Sequence, residues 1–215
     1  MQIWPSLLAA DLLNLQQQIS SLCDAGVTQI HLDIMDNHYV PNLSFSADFC
    51  QAIHTQFPQV KIDVHLMTTP VNDIIETFAH AGAKRISIHA NTTLHLNDSL
   101  YRIQQLGCRV GLAINPGEDI SHLKWCIHQL DYVLLMMVNP GFGGQTMMPF
   151  VIEKAKHLHA LYPQLPIMVD GGINLDNIPT LKSAGVTEFV VGSSLFKAKN
   201  FLHCIQDFLQ VIQHP

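Results

Sequence analysis

A short pattern recurs along the chain: a helical stretch ends at a glycine, and a run rich in β-branched residues begins at once. It reads Asp24-Ala25-Gly26-Val27-Thr28-Gln29-Ile30, then His80-Ala81-Gly82-Ala83-Lys84-Arg85-Ile86, then Ser183-Ala184-Gly185-Val186-Thr187-Glu188-Phe189. A looser copy is Gln105-Leu106-Gly107-Cys108-Arg109-Val110. Glycine adopts the left-handed backbone that closes a helix without a Cβ penalty. Repetition of helix, glycine and strand is the signature of a chain built from βα units.

Short apolar runs bounded by turn residues supply the strands of those units. They are Ile3–Ser6, Gln29–Asp33, Lys61–His65, Arg85–His89, Arg109–Ile114, Tyr132–Val138, Ile167–Asp170 and Glu188–Val191, eight in all. Stretches with helical period, such as Leu12–Cys23, Val71–His80 and Phe150–Leu161, lie between them. Strands alternating with helices imply a parallel sheet. Eight units predict closure into a single (β/α)₈ TIM barrel, with a doubly wound open sheet as the structural alternative. No low-complexity stretch or linker interrupts the chain, so residues 1–215 read as one domain.

Composition sets further bounds. Apolar residues make up 48% of the chain and charged ones 13%, enough for a large core. A formal net charge of -6 argues against a nucleic-acid surface. It leaves room for one phosphate group, which backbone amides hold without a basic patch. The five cysteines are scattered and form no C-x-x-C, which argues against a disulfide framework and points to a reduced, cytoplasmic setting. The opening Met1–Pro5 has no basic stretch, and Pro5 and Asp11 interrupt the apolar run that follows. Neither a secretory leader nor a membrane span is expected.

The polar residues fall where barrel chemistry is expected, at the C-terminal ends of strands. His31 and Asp33 stand two apart, so they share one side of their strand. His65 alternates with apolar neighbours in Asp63-Val64-His65-Leu66-Met67, and Asp170 ends Val169-Asp170-Gly171-Gly172. Either histidine alone reads as a core-edge residue. Together the two imidazoles and two carboxylates suit a divalent transition metal. His89, at the end of the fourth strand, is a weaker candidate for the same mouth. His54, His122, His128, His157 and His203 fall in helical stretches and read as surface residues. Glycine loops follow three consecutive strands: Asn139-Pro140-Gly141-Phe142-Gly143-Gly144-Gln145, then Gly171-Gly172, then Gly192-Ser193-Ser194. Such loops let backbone N–H groups approach an anion. Met35, Met67 and Met137 lie near strand ends, as adaptable packing or as an apolar wall.

The strings His31-Leu-Asp33-Ile-Met35-Asp36, Val40-Pro41-Asn42, Asp63-Val-His65-Leu-Met67, Asn139–Gln145, Val169–Ile173 and Gly192-Ser193, with the opening Pro5–Asp11, resemble the ribulose-phosphate 3-epimerase family in order along the whole chain. The resemblance implies a metal-dependent isomerase that interconverts D-ribulose 5-phosphate and D-xylulose 5-phosphate in the pentose phosphate pathway. It implies metal ligation by His31, Asp33, His65 and Asp170, with Asp33 and Asp170 as the acid–base pair. Ser6, His65, Gly141, Phe142, Gly143, Gly144, Gly171, Gly172, Gly192 and Ser193 would contact substrate, and the protein would be a homo-oligomer. The ligand set does not choose among zinc, iron(II), manganese and cobalt.

Four positions depart from that family's usual pattern: Asn37 for a Gly, Ser46-Ala47 for Gly-Pro, Asn91 for a Glu and Met137 for a small residue. Ser46 keeps open an epimerase for D-allulose 6-phosphate. A lyase on a similar barrel would need a lysine at a strand's C-terminal end. Lys61 and Lys84 instead sit at strand starts, and the other lysines fall in helix or loop.

Overall fold

A computed structural model describes residues 1–213. The strands are β1 (Gln2–Pro5), β2 (Gln29–Met35), β3 (Lys61–Met67), β4 (Arg85–His89), β5 (Arg109–Ile114), β6 (Tyr132–Met136), β7 (Ile167–Asp170) and β8 (Glu188–Val191). The helices are α1 (Leu15–Asp24), α2 (Ala47–Gln56), α3 (Asn72–His80), α4 (Leu96–Gln105), α5 (Val151–Leu161), α6 (Ile178–Ser183), α7 (Ser193–Phe196) and α8 (Phe201–Gln213). From β2 to β8 each strand pairs in parallel with the next in sequence, and β8 pairs with β1. A parallel bridge from Ser6 to His31 joins β1 to β2 and brings the ring to near closure. The strand order never reverses, as it must in a doubly wound open sheet, so the barrel reading holds and the alternative falls.

The repeated glycines close their helices as their sequence context predicts. Gly26, Gly82 and Gly185 have φ of 85°, 104° and 89°. Boundaries moved where side chains captured the backbone. The Asp11 carboxylate accepts from Leu13 N–H at 3.1 Å and from the Asn14 amide at 2.6 Å. Residues 11–14 therefore form a turn, and α1 begins at Leu15 rather than Leu12. The β5–β6 connection contains only short 3-10 turns, Ser121–Trp125 and Ile127–Gln129.

Side chains alternate between two packed layers. On β2, Ile30, Leu32 and Ile34 face the helices and join the main core. His31, Asp33 and Met35 take the opposite face, toward the barrel axis. A second cluster of Trp4, Ala113, Tyr132, Leu134, Met136, Met168 and Val190 fills the interior. Each fully buried large apolar side chain contributes about 1.5–3 kcal/mol, so these layers dominate stability. Met136 faces the interior, and Met137 packs outward in the main core. Of the two readings of Met137, packing therefore holds, and side-chain parity along β6 gives the place at the mouth to Met136.

Candidate active site

One cavity opens at the C-terminal end of the barrel. Ser6, Asp33, Asp170, Gly141, Phe142, Gly143, Gly144, Gly171, Gly172, Gly192 and Ser193 all line it, as do Met35, Met67 and Met136. His31 and His65 do not reach its wall. Both are fully buried and form a floor behind Asp33. One ligand atom from each of His31, Asp33, His65 and Asp170 falls within 4.8 Å of the others, a spacing that offers a site for a metal ion.

The side-chain orientations follow from the neighbours. Asp33 Oδ2 accepts from Ser6 Oγ at 2.7 Å, while Oδ1 lies 3.3 Å from both His31 Nε2 and His65 Nδ1. His31 Nδ1 is 2.7 Å from Asp63 Oδ2, an acceptor-only carboxylate, so it carries the proton. His31 Nε2 has no hydrogen-bond partner, although it is buried and points at Asp33. A neutral ring would present a lone pair to a carboxylate there, an arrangement that requires a proton or a metal cation between the two atoms. The donor set, two imidazoles and two carboxylates, therefore fits a divalent transition metal.

Electrostatics divide the two aspartates. Burial pushes the Asp170 carboxyl up, and the nearby Asp33 charge pushes it further, to about 7. Burial would also raise Asp33, but His31 and then His65 override it and hold Asp33 well below the usual carboxylate range. Burial would lower His31; the charge of Asp33, then Asp63, reverses that and keeps it protonated in the absence of a cation. Burial, then the His65 ring, holds His89 neutral.

The glycine loops are tethered. Asn42 Nδ2 donates to Gly141 O at 2.8 Å, and Gln145 Nε2 donates to Asn139 O and Phe142 O at 2.8 and 2.9 Å. These contacts explain why Pro41-Asn42 and Gln145 accompany the loop in sequence. Phe142 remains 55% exposed at the rim. After β7, Asn177 Nδ2 donates to Gly172 O at 2.9 Å, and Ser194 Oγ donates to Ile173 O at 2.6 Å, tying the seventh and eighth loops together. Gly172 has φ of 68°, and a Cβ there would stand 2.4 Å from Met147 N and 2.8 Å from Gln145 O. Only glycine fits that bend.

None of the four sequence departures lines the cavity. Asn37 adopts φ of 61°, so it supplies the left-handed bend expected of it. Ser46 Oγ accepts from Phe49 N–H at 3.3 Å as the N-cap of α2 and does not line the cavity. Met137 packs outward. His89, the weaker candidate, lies beside the site, its Nε2 2.8 Å from His65 Nε2. Sequence reasoning misses one partner, Asp63, which belongs to a buried cluster under the floor. The available signal was charge at alternating positions of buried strands: Asp63 on β3, Arg85 on β4 and Glu188 on β8. Among the peripheral histidines, His54 is half-buried against Gly82 rather than a surface residue.

A parallel barrel with paired carboxylates over buried imidazoles defines an α/β-barrel enzyme whose chemistry sits at the C-terminal mouth. The sequence profile of the "Ribulose-phosphate 3 epimerase family" matches residues 2–196. Ribulose-phosphate 3-epimerase of Buchnera aphidicola (subsp. Acyrthosiphon pisum, strain APS) is 40% identical over 214 residues, covering 98% of this chain and 94% of that protein. The Escherichia coli K12 enzyme of the same name is 36% identical over 209 residues, covering 95% and 93%. The chain belongs to the ribulose-phosphate 3-epimerase family and is an isomerase of the epimerase type. At the level of fold alone, 3-hexulose-6-phosphate synthase from Salmonella typhimurium superposes with a TM-score of 0.76 at 15% identity, covering 99% of both chains. No helix among the described residues is long and apolar enough to cross a membrane.

Proposed function

We propose that this chain interconverts D-ribulose 5-phosphate and D-xylulose 5-phosphate, as an enzyme of the pentose phosphate pathway, by moving the proton at C3 between Asp33 and Asp170. The observation that carries this reading is the pair itself: two carboxylates share one mouth, and their surroundings favour opposite protonation states. An acid and a base are thus ready at the same pH. The names of the close relatives support the substrate.

The ionised aspartate removes the C3 proton. The electron pair of the C3–H bond moves into the C2–C3 bond, and negative charge collects on the C2 oxygen of a 2,3-enediolate. The protonated aspartate then delivers its proton to the opposite face of C3. At the end of the step the first aspartate is protonated and the second ionised, ready for the reverse direction. Ser6 donates to Asp33 Oδ2 and fixes that carboxylate's orientation. His31, Asp33, His65 and Asp170 would hold zinc, iron(II), manganese or cobalt, which when bound supplies Lewis-acid stabilisation of charge on the ketose oxygens. Gly171, Gly172, Gly192 and Ser193 receive the phosphate. The Gly141–Gly144 loop with Phe142 covers the sugar, and Met35, Met67 and Met136 keep water from the reacting carbons. The chain works in the cytoplasm as a homo-oligomer; light scattering behind size exclusion tests the assembly.

The test is turnover of D-ribulose 5-phosphate beside D-allulose 6-phosphate, before and after chelation and metal repletion. The proposal expects fast, metal-restored turnover of the ribulose ester and slow turnover of the allulose ester. Preference for the allulose ester would overturn the substrate assignment. Full activity after exhaustive chelation would overturn the metal assignment.

A further inference from the structure

Beneath the cavity floor lies a buried charged cluster that takes no direct part in the proposed proton transfers. Asp63 is fully buried and pairs in register with His31 across β2 and β3. Its Oδ2 stands 2.7 Å from His31 Nδ1. Its Oδ1 accepts from the Tyr132 hydroxyl at 2.7 Å and ion-pairs with Arg85 Nε at 3.1 Å. Arg85 is held in turn by Glu188 at 2.7 Å and lies 4.3 and 3.8 Å from the centres of the Trp4 and Tyr132 rings. Asp63 is thus anchored on one side and presents a single oxygen to His31 on the other.

We propose that Asp63 is a positioning residue, which fixes His31 in the tautomer that leaves Nε2 free for the metal ion. The inference rests on the metal reading above. All three groups around Asp63 can only donate or are donating: the His31 Nδ1–H, the Tyr132 hydroxyl and the Arg85 guanidinium. A carboxylate satisfies them all. An amide cannot, because one of its two ends is itself a donor. With Asp63→Asn, the guanidinium holds the amide oxygen on its own side and turns the NH₂ toward His31. His31 Nδ1 must then accept, and its only proton moves to Nε2, where it blocks the metal. The substitution changes almost no volume, so its effect is read in the imidazole rather than in packing.

The experiment compares wild type, Asp63→Asn and Tyr132→Phe, each labelled with ¹⁵N-histidine, stripped of metal and titrated with zinc and with cadmium-113. In wild type, one-bond cadmium–nitrogen coupling should appear at His31 Nε2 and His65 Nδ1. Asp63→Asn should lose the His31 coupling and weaken zinc binding by about 10–100-fold. Tyr132→Phe disturbs the same cluster but leaves the carboxylate on His31, so its zinc affinity should stay within about threefold of wild type. The proposal is overturned if Asp63→Asn keeps both the coupling and the affinity, or if Tyr132→Phe loses as much as Asp63→Asn. Should Asp63→Asn fail to fold, the wild-type spectrum decides: coupling through His31 Nδ1 overturns the proposal, and coupling through Nε2 supports it. Wild type that binds neither ion would instead refute the metal reading.

Discussion

His65 and His89 face each other through their Nε2 atoms at 2.8 Å, so a single proton serves both nitrogens. His65 keeps Nδ1 turned toward Asp33, 3.3 Å away. In metal-free protein the Asp33 carboxylate takes the His65 Nδ1–H, so His65 Nε2 accepts from the His89 Nε2–H. With His89→Ala the buried His65 Nε2 loses its partner, an uncompensated acceptor that costs about 1–3 kcal/mol before any cavity penalty. Urea unfolding of metal-free protein should show at least that loss, with partial recovery in His89→Gln, which restores a donor. A His89→Ala protein within about 0.5 kcal/mol of wild type would contradict the assignment.

The division of labour between the aspartates is tested in kcat. Asp33→Asn and Asp170→Asn should each lower it by at least about 100-fold, since each removes an obligatory proton-transfer group. Circular dichroism should show the barrel intact. Either variant retaining near-normal turnover would remove that residue from the mechanism.

The raised Asp170 carboxyl predicts a pH-dependent stability difference in metal-free protein. In the unfolded chain Asp170 loses its proton near the ordinary carboxylate value of about 4; in the folded chain it keeps it up to about 7. Folding therefore binds a proton through this window, and stability falls as pH rises across it. Asp170→Asn removes the contribution. The stability of Asp170→Asn relative to wild type should grow from pH 4 to pH 7 and then level off, as read from denaturant midpoints. A difference independent of pH would contradict the raised value.

Metal affinity should run the other way with pH. Without metal, Asp33 and Asp63 keep His31 protonated, and the Nε2 proton must leave before that nitrogen can ligate. Each proton released corresponds to about tenfold in affinity per pH unit. Calorimetry in buffers of different ionisation enthalpy should show proton release and tighter binding from pH 6 to pH 7. PH-independent affinity would argue against this ligand set.

Much of this is legible in the amino-acid sequence. The glycine-capped repeat carried the barrel, because a left-handed helix stop and a following strand are local properties. Two-residue alternation placed His31 with Asp33 for the same reason. What the sequence hid was pairing across strands. Asp63 meets His31, Tyr132 and Arg85 only because β2, β3, β4 and β6 curl around one axis, and no spacing along the chain encodes that. Gly111 illustrates it: it reads as an ordinary strand residue, yet a Cβ there would stand 2.3 Å from the Tyr132 ring. Parity at a strand end is equally hard to read along the chain: it turns Met137 into the main core and brings Met136 to the cavity.

The most direct measurement is the fate of the C3 proton when wild-type, metal-loaded protein turns over D-ribulose 5-phosphate in deuterium oxide. Removal by one carboxylate and return by the other predicts D-xylulose 5-phosphate carrying deuterium at C3, seen by mass spectrometry and by loss of the C3 proton resonance. Product formed at full rate with the original proton still on C3 would contradict the two-aspartate account.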